Sequence, residues 1–134
     1  MRSRRYRVTV AAEKLSNRTI RFLLRRGVAP PVWALLETTG RRTGRPRQTP
    51  VGNGLVDGVF WLVAAHGRQA DYVRNLEHDP AVRVKIGRRW YTGTATVLDD
   101  DDAGARSRML PHRMDAAIGR LMQTEPLTVR IDLD

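Results

Sequence analysis

Apolar positions along this chain change period several times, and each change marks an element. From Ala11 to Arg26, residues Ala12, Leu15, Ile20, Leu23 and Leu24 recur at roughly helical spacing, while Arg18, Arg21, Arg25 and Arg26 lie largely elsewhere. That predicts a basic amphipathic helix, stopped by Gly27 and Pro30-Pro31. Beyond the prolines the pattern becomes that of strands, over Val32 to Thr38, Gln48 to Val56 and Val59 to Ala65. Asp57-Gly58 between the last two predicts a hairpin, because both central residues of a type I′ turn take positive φ. Tyr72, Val73 and Leu76 form the stripe of a short helix from Ala70 to Glu77, which Asp79-Pro80 ends. Two more strands, Ala81 to Ile86 and Trp90 to Leu98, flank a turn at Gly87-Arg88. The acidic run Asp99 to Asp102 suits the positive end of a helix dipole, and helical signal runs to about Leu110, breaks at Pro111 and resumes from Met114 to Met122. Leu127, Val129, Ile131 and Leu133 alternate along a final half-buried strand.

Consecutive hairpins imply antiparallel pairing, so the expected class is α+β: a small barrel or curled sheet of about six strands, closed by the last one. A basic arm (Met1 to Val10) and the helix occupy residues 1–30, and one domain occupies 31–134. Trp33, Trp61 and Trp90 fall in strand patterns and read as core.

Composition narrows the class. A hydrophobic content of 41% fits a folded soluble chain, and no apolar run is long enough for a transmembrane helix. The basic start is not followed by the apolar core of a signal peptide. With no cysteine there is no disulfide, thiolate metal site or cysteine nucleophile, and a cytoplasmic setting fits. The net charge of +10 comes almost wholly from arginine, whose planar fork suits phosphate and carboxylate.

Chemistry concentrates in two segments. The first is Thr38-Thr39-Gly40-Arg41-Arg42-Thr43-Gly44-Arg45-Pro46-Arg47-Gln48-Thr49-Pro50, where glycines, hydroxyls and four arginines share one loop between extended runs. Backbone N–H groups and guanidinium forks converging there would hold an anion. The second runs from Ala64 to Leu76, a strand end leading through a small-residue turn into a helix. There Ala64, Ala65 and Gly67 would let a flat ring approach the backbone. Dinucleotide and P-loop glycine motifs are missing, His66, His78 and His112 are too scattered for a metal site, and no serine sits in a nucleophile elbow. An enzyme of this composition would take its reactive atom from a cofactor.

Leu36-Glu37-Thr38-Thr39-Gly40-Arg41-Arg42-Thr43-Gly44 with Pro46-Arg47 and Thr49-Pro50, followed by Asp71-Tyr72-Val73-Arg74-Asn75-Leu76 and Asp79-Pro80, resembles the deazaflavin-dependent nitroreductase and quinone reductase family of actinobacteria. The resemblance spans about Val32 to Val97. It implies a split β-barrel like that of the FMN-binding pyridoxamine oxidases and the coenzyme F420, with FMN as the alternative. It also implies hydride transfer from the reduced coenzyme to quinones, nitroaromatics or other activated double bonds. Carried over by position, Arg41, Arg42, Thr43, Gly44 and Arg47 would bind the coenzyme's phosphodiester and glutamate tail. Thr49, Pro50 and Val51 would line the ring on one side, and Ala64, Ala65, His66 and Gly67 on the other. Tyr72 and Asn75 would close the pocket, and His66 and Tyr72 are the candidate proton donors beside solvent.

Three function classes stand together on the sequence. They are an F420-dependent reductase, a non-catalytic module of the same fold carrying deazaflavin, FMN or haem, and a basic nucleic-acid-binding protein. The third has no recognised motif and no aromatic stripe among the arginines, so no nucleic-acid partner is expected. The expected partner is a small redox substrate, and monomer and homodimer are both open. The basic helix could either pack on the barrel or attach peripherally to anionic lipid at the inner membrane face.

Overall fold

The computed structural model describes residues 21–23, 25–27, 32–109 and 126–134. The expected basic arm, most of the helix expected over 11–26 and the helical signal expected from 114 to 122 lie outside the described residues. Seven strands form one antiparallel sheet: β1 (Trp33–Thr39), β2 (Pro46–Gly52), β3 (Leu55–Val56), β4 (Val59–Ala64), β5 (Ala81–Ile86), β6 (Arg89–Leu98) and β7 (Leu127–Leu133). Between β4 and β5 lie a 3-10 turn (Gly67–Gln69) and helix α1 (Asp71–His78), and α2 (Ala103–Met109) follows β6.

The sheet order is β2-β1-β5-β6-β7-β4-β3. Its two ends, β2 and β3, are consecutive in sequence, so the chain itself joins the edges of a sheet curled into a half-barrel. The seventh strand arises where one strand was expected from Gln48 to Val56. At the join, Asn53 N–H donates to Val32 O at 2.8 Å and Trp61 N–H donates to Gly54 O at 2.9 Å. A Cβ on Gly54 would lie 1.8 Å from the Trp61 carbonyl oxygen, so only glycine lets the chain turn this corner. The hairpin at Asp57 (φ 49°) and Gly58 (φ 81°) has the two positive angles its sequence predicts.

Alternation sorts the side chains. Ala34, Leu36, Val51, Phe60, Leu62, Val82, Val84, Ala95, Val129 and Ile131 point inward and are buried, and Leu76 from α1 joins them. Burying an aliphatic side chain of this size contributes about 1.5–3 kcal/mol, so this face carries most of the fold's stability. The tryptophans depart from expectation. Trp61 and Trp90 are only half buried, on the outer face, beneath cations rather than in the core. The Arg106 guanidinium lies 4.0 Å from the Trp61 ring centre and that of Arg83 4.3 Å from the Trp90 ring centre. Trp33 is half buried too, with strand parity opposite to buried Ala34. An apolar ring with a π face suits this setting as well as a core, because it binds the neighbouring guanidinium.

The outer face also receives the described end of the N-terminal helix. Arg25 Nε donates to Gln48 Oε1 at 3.1 Å, and Lys85 Nζ donates to the Arg25 carbonyl at 2.7 Å. On the opposite flank α2 covers β4 and β7. Asp102 Oδ1 accepts the Ala105 N–H at 3.0 Å and caps the helix. Asp101 accepts from two of the Arg106 nitrogens, Nε at 3.2 Å and Nη2 at 3.1 Å, and from the Thr128 hydroxyl at 2.8 Å. Those donors, Arg106 first, hold the Asp101 carboxyl below its ordinary pKa.

Candidate functional site

The pairing registers place the C-terminal ends of β1, β4 and β6 beside the N-terminal ends of β2, β5 and β7. Thr39 faces Pro46, Glu37 faces Arg83, Leu98 faces Thr128 and Ala64 faces Leu127. The longer connections therefore gather at one mouth of the half-barrel, and the Asp57-Gly58 and Gly87-Arg88 turns lie at the other. Both chemistry-bearing segments belong to that mouth.

The arginine loop closes on itself. Gly40 N–H donates to Arg45 O and Gly44 N–H to Gly40 O, both at 2.8 Å, and Arg45 N–H donates to the Thr43 hydroxyl at 3.2 Å. Gly44 takes φ 70°, a value that favours glycine. Thr43 and Gly44 thus shape the loop before they touch any ligand. Of the loop's arginines, Arg41 turns inward. Its backbone N–H donates to Asn75 Oδ1 at 3.2 Å and its Nη1 donates to the same oxygen at 2.8 Å. Nη1 also reaches the Asp71 carbonyl at 3.4 Å, and Nη2 pairs with Asp71 Oδ1 at 3.3 Å. Asn75 is 4% exposed, and its Nδ2 donates to the buried Thr38 hydroxyl at 3.4 Å. Asp71 and Asn75 stand one helical turn apart on α1, so a single face of that helix grips the loop.

Arg42, Arg45 and Arg47 are exposed, and their side chains make no hydrogen bond or ion pair among the described residues. Among the described residues Asp71 offsets Arg41 and no carboxylate pairs with the other three, so they present exposed positive charge suited to an anion. Arg47 lies directly across from Thr38 and shares its inward face, with Thr49 and Val51 following on that face.

No ladder joins β2 to β4 among the described residues, so an open seam runs from the Gly54 corner to the mouth. Thr49, Pro50 and Val51 flank it on one side, and β4 leads on the other to Ala65, His66 and Gly67. Thr49, Pro50 and Ala65 are half exposed. Val51 and Ala64 are 5% and 0% exposed and belong to the core. His66 is buried and opens the 3-10 turn, its carbonyl accepting the Gln69 N–H at 3.1 Å. Gly67 takes φ 54° to make that turn, and half-buried Tyr72 packs between the main core and the Ala64, Ala70 and Val73 cluster. Across the mouth from the arginine loop, Arg68 joins three elements. Its Nε pairs with Glu77 at 3.1 Å, its Nη1 with Asp99 at 2.6 Å, and its carbonyl accepts from Arg74 Nε at 2.7 Å.

The site set expected from sequence is therefore gathered mostly at the mouth, with Thr49, Pro50 and Val51 leading away from it along β2, and it is split in use. Arg42, Arg45, Arg47, Thr49, Pro50, Ala65 and Tyr72 offer exposed or half-exposed surface, whereas Arg41, Thr43, Gly44 and Asn75 build the loop. Sequence reasoning missed Thr38, Asp71 and Arg68 as partners. The spacing of Asp71 and Asn75, four apart on a short helix, was the available signal. Among the described residues no cluster of side chains could hold a metal ion, and no helix is long and apolar enough to cross a membrane.

The seven-stranded half-barrel with its mouth helix is a split barrel of the FMN-binding-like class. Solved structures share it. HutZ, the haem storage protein of Vibrio cholerae, matches with a TM-score of 0.60 at 17% identity, over 78% of this chain and 82% of HutZ. The F420-H2 dependent reductase FDR-A matches at 0.58 and 20% identity, over 77% of this chain and 94% of that one. A domain-swapped dimer matches at 0.62 and 20% identity, over 92% and 99% of the two chains. At such identities the likeness concerns the fold alone. No curated protein matches the sequence. Residues 5–134 match the model of the F420H(2)-dependent quinone reductase family, and the chain belongs to that family. It is an F420-dependent oxidoreductase by class, and its family's coenzyme is reduced F420.

Proposed function

We propose that this reductase passes a hydride from reduced F420 to a quinone or a similarly activated acceptor such as a nitroaromatic, with the coenzyme tail on the arginine loop and its ring in the seam. The observation that carries the reading is the meeting, at one mouth, of three exposed arginines with a small-residue seam. The donor set fits the coenzyme. Guanidinium forks match its phosphodiester and carboxylates, and Thr49, Pro50, Ala65 and Gly67 leave room for a planar ring beside the backbone. When bound, the deazaflavin supplies the hydride.

The protein's part is to orient and to exclude water. Arg42, Arg45 and Arg47 would fix the anionic end, and β2 and the Ala65–Gly67 turn would orient the ring toward an acceptor. Reducing a quinone to its hydroquinone also consumes one proton beyond the hydride. His66, in the turn that follows β4, and Tyr72, on the helix after it, are the candidates to deliver it, alongside water. The haem storage neighbour favours one competing reading, a carrier module of this fold. Titration of the protein with oxidised and reduced F420, with FMN as control, followed by addition of a quinone, tests both. Binding of F420 with rapid oxidation supports the reductase, binding without oxidation supports the carrier, and preference for FMN overturns the F420 reading.

A further inference from the structure

The four arginines of the mouth loop look alike in sequence, yet their surroundings divide them. Arg41 has its side chain 20% exposed and spends its fork on Asn75 and Asp71, while its own backbone N–H is also taken by Asn75. Asn75 is buried and has every polar group engaged: Oδ1 by Arg41 twice, Nδ2 by Thr38. One amide therefore fixes the loop's first arginine at both backbone and guanidinium and ties it to β1. A guanidinium held by a neighbouring carboxylate and amide offers little to an incoming anion, because binding one would mean giving up bonds already made.

We infer that Arg41 and Asn75 are a positioning pair that holds the loop in its binding shape, and that the coenzyme's anionic end is met by Arg42, Arg45 and Arg47 alone. The inference rests on the coenzyme reading of the loop and reassigns one of the arginines expected to bind. Its physical content is preorganisation: an apparent dissociation constant rises in inverse proportion to the fraction of molecules whose loop is in the competent shape.

The test has an arm without coenzyme and an arm with it. In the free protein, amide hydrogen exchange at Arg41 and Gly44 reads the loop directly. Asn75→Ala is expected to speed exchange at Arg41 at least about tenfold and to weaken F420 affinity by about tenfold, a loop competent roughly one-tenth of the time. Asn75→Asp keeps both acceptor bonds to Arg41, and it should retain protection and affinity to within about threefold even if Asn75→Ala folds poorly. Arg41→Ala combined with Asn75→Ala should be no worse than the weaker single variant, because both break one unit. The salt dependence of F420 binding should survive in Arg41→Ala and fall in Arg47→Ala, since only the latter removes a charge facing the ligand. Unchanged exchange at Arg41 in Asn75→Ala overturns the clamp. Additive losses, or a salt dependence that falls equally in Arg41→Ala and Arg47→Ala, return Arg41 to the ligand. Wild-type protein that binds no F420 overturns the coenzyme reading and with it the role of the exposed three.

Discussion

Two arginines brace the mouth of this barrel, and they do so by opposite means. Arg41 is held by a buried amide and one partly buried ion pair, next to the loop that faces solvent. Arg68 is held by two carboxylates, Glu77 and Asp99, with all three side chains substantially exposed. By count of charges the Arg68 brace is the stronger. By environment it is the weaker, because exposed ion pairs are screened and must immobilise long side chains. Where one polar side chain is dry and fully engaged, its loss leaves partners stranded that water cannot reach. Here the neutral residue governs.

The comparison can be broken most directly at Asn75. Asn75→Ala strands the Arg41 amide and Thr38, and a loss of about 2 kcal/mol in stability is expected in urea unfolding. Thr38→Val leaves only Asn75 Nδ2 without its acceptor, across a bond that is already long at 3.4 Å. It should cost about 1 kcal/mol or less, measured the same way. Arg68→Ala should cost a minor fraction of the Asn75 loss, and the difference from wild type should shrink further in molar salt. A larger effect for Arg68 than for Asn75 would invert the comparison.

Acid gives the smallest and most specific effect. The Arg68 hydrogen bond holds the Asp99 carboxyl below its ordinary value of 3.8, and Arg106 and Thr128 do the same for Asp101. A carboxyl depressed by folding contributes stability above its unfolded value and loses it as pH falls through the lower folded one. Both braces should therefore be fully present at neutral pH and fade only below 3.8, whereas the Arg41–Asn75 bonds carry no proton to lose. Chemical-shift titration of the Asp99 and Asp101 carboxyls should show midpoints below 3.8.

Much of the fold was legible because strands with one buried face must alternate. Val129 and Ile131 in β7, and Phe60 and Leu62 in β4, announce themselves that way. The Asp57-Gly58 turn was legible because few residues accept its angles. The corner at Asn53-Gly54 was not, because its reason is the Trp61 carbonyl arriving from another strand, and no local pattern carries that. The tryptophans misled because an aromatic residue in a strand satisfies either face once a guanidinium lies over it. At the site, the motif located the mouth but could not rank its arginines. Which arginine faces inward depends on where Asn75 stands across the fold, 34 positions along the chain.

The order of the sheet has a consequence for how the protein is made. The strand Leu127–Leu133 stands between β6 and β4, so the strands synthesised before it form two separate groups, β2-β1-β5-β6 and β3-β4. Until that strand leaves the ribosome, each group has an uncovered edge and half an apolar interior, a state prone to wrong pairing. Closure then waits on contacts between residues some seventy positions apart, such as Phe60 with Ile131, which makes assembly slow for a chain of this size. This strand closes the sheet as a keystone closes an arch, and until it is in place the two lips of the seam belong to separate pieces.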